Sequence, residues 1–93
     1  MWLTLPVKTE YFNAIKSGEK VEEYRLITDY WKKRLVGREY EGIIITLGYP
    51  KKTDESRRLS FQWRGYQITK LQHRHFGRDT VYVFALPLVA FSV

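Results

Sequence analysis

The chain contains no cysteine in its 93 residues, which excludes disulfides, a thiolate metal site and a cysteine nucleophile, and is compatible with a reducing compartment. It also lacks a long hydrophobic segment. The longest apolar run, Val83 to Phe91, is too short for a membrane helix and holds Pro87. The opening Met1-Trp2-Leu3-Thr4-Leu5-Pro6 has no basic segment ahead of an apolar one, so no secretory leader is expected and a cytoplasmic domain without a membrane partner is the expectation. Missing too are a phosphate-binding glycine loop, a Ser-His-Asp pattern and paired catalytic carboxylates at a recognisable spacing. Acidic residues are scarce: 10 Asp and Glu stand against 16 Lys and Arg, giving a formal charge of +6. That balance favours polyanionic partners or substrates.

The scarcity of acid is uneven. From Arg57 to Arg78 the basic residues Arg57, Arg58, Arg64, Lys70, Arg74 and Arg78 occur with no Asp or Glu among them, and Lys32, Lys33, Arg34 and Arg38 form a second basic group. A basic run by itself is usually a solvated face. Here both groups are interleaved with Trp31, Trp63 and Tyr66, the pattern of phosphate contacts beside stacking surfaces. Three Trp, seven Tyr and five Phe can fill a dense small core or stack on bases, and composition does not divide them between these roles.

A chain of this length supports one domain, residues 1–93, with one core. Trp2 to Val7 alternates as a strand. Thr9 can cap a helix carrying Tyr11, Phe12 and Ile15, which Gly18 would end. Lys20 to Leu26 reads as a second strand, and Thr28 or Asp29 offers the cap of a short helix that sets its basic residues opposite an apolar stripe. The β-branched run Gly42 to Leu47 predicts a central strand buried on both faces. Tyr49 to Ser56 reads as the longest loop. Leu59, Phe61 and Trp63 alternate with polar neighbours, and Gly65 is expected to turn a hairpin into Tyr66 to Leu71. His73 to Arg78 reads as a loop, and Thr80 to Phe91 as one or two strands broken near Pro87. Many short strands with two small helices give an α+β class and suggest a closed or nearly closed barrel.

The stretch Gly18-Glu19-Lys20-Val21-Glu22-Glu23-Tyr24-Arg25 places both charge signs where a helix hands over to a strand, a junction that can aim side chains into a cleft. The competing reading is an exposed ion-pair cluster on a strand edge. Gly18-x-Lys20-x-x-Glu23-x-Arg25 resembles the GxKxxExR signature of the ASCH superfamily, small PUA-like domains associated with RNA. Gly48-Tyr49-Pro50 and His73-Arg74-His75-Phe76-Gly77 also look like segments of its compact, phage-type members. The resemblance implies a PUA-like mixed β-barrel of about six strands with two short helices packed outside. The implied partner is single-stranded RNA or a modified nucleoside, with no cofactor.

Four residues are the candidate catalytic set: Lys20, Glu23, Arg25 and Tyr49. Metal-free RNA cleavage needs a base for the 2′-hydroxyl, an acid for the leaving oxygen and cations for the phosphorane. Glu23 or a histidine could be the base, Lys20 or Tyr49 the proton donor, and Arg25 the phosphate clamp. Glu23 and Arg25 can equally be a structural pair, two residues apart on one strand face. In the members that hydrolyse N4-acetylcytidine, the resemblance implies, the matching lysine acts with a hydroxyl residue and a carboxylate; this chain has Glu23 in the hydroxyl's register. Arg34, Lys51, Lys52, Arg64, His73, Arg74 and His75 are the candidate nucleic-acid contacts. His73-x-His75 invites a zinc reading, but no third and fourth ligand accompanies it, so no metal site is expected. Proton transfer, phosphate contact and hydrogen bonding to backbone all remain open for these histidines.

Overall fold

A computed structural model describes residues 1–72 and 79–92. Among these residues six strands and two helices follow in the order β1 (Trp2–Val7), α1 (Thr9–Ser17), β2 (Glu22–Leu26), α2 (Asp29–Leu35), β3 (Gly42–Leu47), a 3-10 turn at Glu55–Arg57, β4 (Arg58–Phe61), β5 (Gln67–Leu71) and β6 (Val81–Pro87). The strands form two three-stranded sheets, β1-β3-β4 and β2-β6-β5. In the first, β1 and β3 run parallel and β3 and β4 antiparallel; the second is antiparallel throughout. An isolated antiparallel bridge between Gln62 and Val89 joins the chain beyond β4 to the chain beyond β6. The class is therefore α+β, and among the described residues the two sheets are not closed into a barrel.

The sheets share one core. Leu3 and Leu5 of β1 and Ile43 and Ile45 of β3 point inward by strand alternation and meet Phe84 and Leu86 of β6, with Phe12 and Ile15 of α1 and Leu35 of α2 closing the sides. β3 is the middle strand of its sheet, as the β-branched run predicts. Gly42 earns its place by close approach, because a Cβ there would lie 2.3 Å from the Trp2 ring.

Local chemistry explains most element boundaries. Gly18 ends α1 in the left-handed conformation, φ 87°, and its N–H donates to the Ile15 carbonyl. The α1 cap is Lys8 in extended backbone, with no side-chain bond, and Thr9 is the first helical residue rather than the cap. Thr28 caps α2, its hydroxyl accepting from the Trp31 N–H at 3.3 Å. The hairpin expected around Gly65 is not formed. β4 pairs with β3 and β5 pairs with β6, so Gly65, at φ 72°, carries the chain from one sheet to the other. The alternating residues Leu59, Phe61 and Trp63 do pack on the core, but their hydrogen-bonding neighbour is chosen by the whole sheet and not by the adjoining turn. Among the described residues no helix is long and apolar enough to cross a membrane.

Candidate functional site

Parallel pairing of β1 and β3 makes the chain leave both strands at the same edge. The Val7–Lys8 link and the Gly48–Tyr49 turn consequently lie side by side, fastened by the Gly48 N–H donating to the Val7 carbonyl at 3.0 Å. Thr46, almost fully buried, donates its hydroxyl to the Gly48 carbonyl at 2.8 Å and holds the turn. Gly48 takes φ 61°, which suits a residue without a Cβ. Tyr49 is thereby presented at the edge with 93% of its surface exposed.

Facing this edge is β2. Its alternation puts Glu23 and Arg25 on one side, and the backbone beyond Gly18 swings Lys20 toward them, the Lys20 N–H donating to the Ala14 carbonyl at 3.0 Å. The three side chains form one ionic chain. Arg25 Nη2 donates to Glu23 Oε2 at 2.7 Å and to the Pro6 carbonyl at 2.9 Å, while Lys20 Nζ stands 3.5 Å from Glu23 Oε1. Glu23 is 7% exposed, and the side chains of Lys20 and Arg25 are 17% and 18% exposed. Burial of a carboxyl group is costly without partners, and each of the Glu23 oxygens is met by a cation. Arg25 Nε is buried and has no hydrogen-bond partner among the described residues. Such a donor carries a desolvation cost of about 1–3 kcal/mol, and Arg58 Nε, outside the cleft lining, is in the same state.

Aromatic rings enclose the charges. Lys20 Nζ lies 4.4 Å from the centre of the Tyr24 ring and 5.8 Å from that of Tyr11, and the Arg25 guanidinium lies 5.0 Å from the Trp31 ring. Together Lys20, Glu23, Arg25, Tyr11, Tyr24, Trp31 and Tyr49 line a cleft of about 530 Å³, floored by Pro6, Val7 and Thr28. Lys8 lines it as well, so three cations face one carboxylate. The Tyr24 hydroxyl donates to Glu22 Oε1 at 3.1 Å. Its pKa is raised above the usual 10.0, first because burial disfavours the phenolate and then because Glu22 and Glu23 repel it and Glu22 accepts from its proton.

All four residues of the candidate catalytic set thus meet in one cleft. Of the candidate nucleic-acid contacts, Arg34 lines an adjoining hollow together with Arg25, Trp31 and Tyr49. Lys51 and Lys52 follow Tyr49 in the loop and are exposed without lining the cleft. Arg58 clamps that loop by donating to the Pro50 and Lys51 carbonyls at 3.4 and 3.3 Å. Arg64 donates to Gln62 Oε1 at 3.0 Å and lines neither hollow. His73, Arg74 and His75 lie outside the described residues. Trp63 and Tyr66 serve the core, edge-on to Tyr40 and Phe84 respectively.

Residue reasoning missed Tyr11, Tyr24 and Lys8 as cleft walls. Tyr11 has the helical spacing of a core residue, yet it lines the cleft. Tyr24 alternates away from Glu23 and Arg25 along β2, so residue order does not mark it as a cleft wall. Among the described residues no three His, Cys, Asp or Glu side chains gather as a metal site would require. Comparison of the chain with protein-family models, with curated proteins and with solved structures finds no match.

What the cleft can do follows from its parts. The rings offer faces for a planar heterocycle, Glu23 offers an acceptor edge, and Lys20 and Arg25 offer donors to an anionic oxygen. The cations are pre-paired with Glu23, which fixes their positions before any ligand arrives.

Proposed function

We propose that this chain is an ASCH-type, PUA-like domain of the cytoplasm that binds single-stranded RNA, or a modified nucleoside within it, in the cleft between β2 and the Gly48–Tyr49 turn. One observation carries the reading: the three charged residues of the Gly18-x-Lys20-x-x-Glu23-x-Arg25 signature converge on a hollow walled by Tyr11, Tyr24, Trp31 and Tyr49. Stacking rings beside fixed cations are the recurring physics of single-strand recognition. The overall charge of +6 adds long-range attraction for the backbone.

Tyr49 is the cleanest handle, because its exposure means that truncation leaves the core intact. Fluorescence anisotropy with a short single-stranded RNA should show affinity falling steeply with salt, as counterion release requires. Tyr49→Ala should weaken binding by about 5- to 150-fold, the equivalent of about 1–3 kcal/mol for one stacked base. Binding indifferent to both salt and Tyr49→Ala would refute the proposal.

A second reading makes the same cleft a metal-independent ribonuclease, favoured by the presence of Glu23, Lys20, Arg25 and Tyr49 within one hollow. Glu23 would take the 2′-hydroxyl proton as that oxygen attacks the adjacent phosphorus. Lys20 or Tyr49 would protonate the departing 5′-oxygen, and Arg25 would hold the phosphorane charge. The products would be a 2′,3′-cyclic phosphate and a free 5′-hydroxyl. Hydrolysis of N4-acetylcytidine would draw on Lys20 and Glu23 alone. Incubation of wild type and Lys20→Ala with RNA and with N4-acetylcytidine in the presence of a chelator, followed by mass spectrometry, separates the two chemistries; no turnover of either leaves a binding module.

A further inference from the structure

The cleft is not isolated. Next to it lies a second hollow of about 390 Å³, and Pro6, Arg25, Trp31 and Tyr49 line both. Two compartments therefore meet across a common wall made of one guanidinium and two aromatic rings. The second compartment has its own equipment, contributed by Trp2, Tyr30, Arg34 and Tyr40.

Its organisation is unlike that of the first. The Arg34 guanidinium carbon lies 3.4 Å from the centre of the Tyr30 ring, and Arg34 Nη1 donates to the Tyr30 carbonyl at 3.2 Å. One turn of α2 thus holds an arginine over the face of a tyrosine, which positions a cation on a long side chain that otherwise loses much rotamer freedom when it binds. The Tyr30 ring also meets Trp31 edge-on at 5.0 Å. No carboxylate lines this compartment. Tyr30 is exposed although large and aromatic, and the exposed Trp2 joins it there. A rigid cation, open rings and no acid make a place for a base and an anionic oxygen, not for another cation.

At the junction, Arg25 Nη2 is spent on Glu23 and Pro6, so the Nη1 end of the fork is the part a ligand could engage. An anion at the shared wall would sit between the two hollows.

On this basis, and resting on the RNA-binding reading above, we propose that the site takes two consecutive nucleotides. The first base occupies the cleft of Tyr11, Tyr24 and Glu23, the connecting phosphodiester lies against Arg25 at the Trp31 partition, and the second nucleotide lies on the Tyr30–Arg34 platform. The ligand is a phosphodiester-linked step of single-stranded RNA, and a lone nucleoside fills half the site.

Isothermal titration of a mononucleotide and of the dinucleoside monophosphate that contains it tests the assignment. The linked pair should bind about 5- to 150-fold more tightly, the range expected for one added stacked base. The double variant Tyr30→Ala/Arg34→Ala alters two exposed residues and should abolish that advantage, so that it binds the two ligands equally. Equal affinity of the two ligands for the wild type would overturn the two-nucleotide site while keeping the cleft, as would a double variant that weakens both ligands alike. Failure of both ligands to bind the wild type would overturn the RNA-binding reading itself, and this assignment with it. Retained circular dichroism of the double variant confirms that a loss is not unfolding.

Discussion

Removal of Glu23 isolates the ionic chain on which the cleft is built. In Glu23→Ala two cations with side chains only 17% and 18% exposed would face each other without the carboxylate that separates them. At an effective dielectric near 20, a unit charge at these separations interacts by roughly 5 kcal/mol, most of which in the wild type offsets desolvation of the three groups. Loss of the shared partner leaves the desolvation uncompensated, and breaking a buried pair typically costs about 3–5 kcal/mol. A domain of this size has a total stability of about 5–14 kcal/mol, so the variant should be folded but weak. Its thermal midpoint should fall by about 12–40 °C, given a shift of roughly 4–8 °C per kcal/mol for small domains. Urea denaturation followed by circular dichroism supplies the free energy directly, with an unchanged m-value as the check that the unfolded state is the same.

The triple variant Lys20→Met/Glu23→Leu/Arg25→Met supplies the complementary half of the experiment. With no charge left to desolvate, it should recover most of the stability that Glu23→Ala loses, because apolar replacements of buried ionic groups are often neutral or stabilising. It should nevertheless bind no RNA. A structural ion-pair cluster and a ligand site make opposite demands on these residues, and stability without binding is the signature of the second. A loss below about 1 kcal/mol in Glu23→Ala, the range of a solvated surface pair, would refute the argument that the carboxylate is held by buried cations.

Two further consequences concern the residues that frame the ionic chain. Burial and the neighbouring Glu22 raise the Tyr24 pKa, so folding favours the protonated phenol; this contribution is whole below pH about 10 and is lost as pH climbs through the raised value. Tyr24→Phe should remove that alkaline loss, and Glu22→Gln should reduce it, both readable from urea midpoints taken across the alkaline range. Gly18→Ala meets no steric obstacle, since nothing lies within 4 Å of the added Cβ, but it imposes φ 87° on a residue with a side chain. A stability loss of about 1–2 kcal/mol should follow, with Gly18→Asn intermediate, and equal midpoints for all three chains would exclude the left-handed cap as the cause.

Much of the local architecture was written in residue order. The β-branched run Gly42–Leu47 specifies a strand that can be buried on both faces, Gly18 can stop a helix, and Thr28 can start one; each depends on backbone sterics or on hydrogen bonds only a few residues long. The proximity of Lys20, Glu23 and Arg25 is likewise local, because a helix end and a strand of fixed pitch carry them to one place whatever surrounds them. Sheet partnership is a different matter. The segments on either side of Gly65 have the alternation of a hairpin, yet β4 joins β3 and β5 joins β6, since burying two apolar faces against each other outweighs pairing across a short turn.

The cleft itself belongs to tertiary structure. Tyr49 is separated by more than twenty residues from Arg25, and they share a wall only because β1 and β3 run parallel and discharge their loops at one edge. Pro6 reaches Arg25 through a carbonyl that no sequence pattern marks. The acid-free basic segment shows the converse limit: its charges are adjacent in sequence, but Arg58 and Arg64 are turned to a loop carbonyl and to a glutamine instead of the cleft. Short-range sterics and periodicity determine which groups the chain can offer. Which of them face a common space is decided by long-range packing, because contacts between distant segments depend on the direction and partner of each strand, and neither is encoded within the strand.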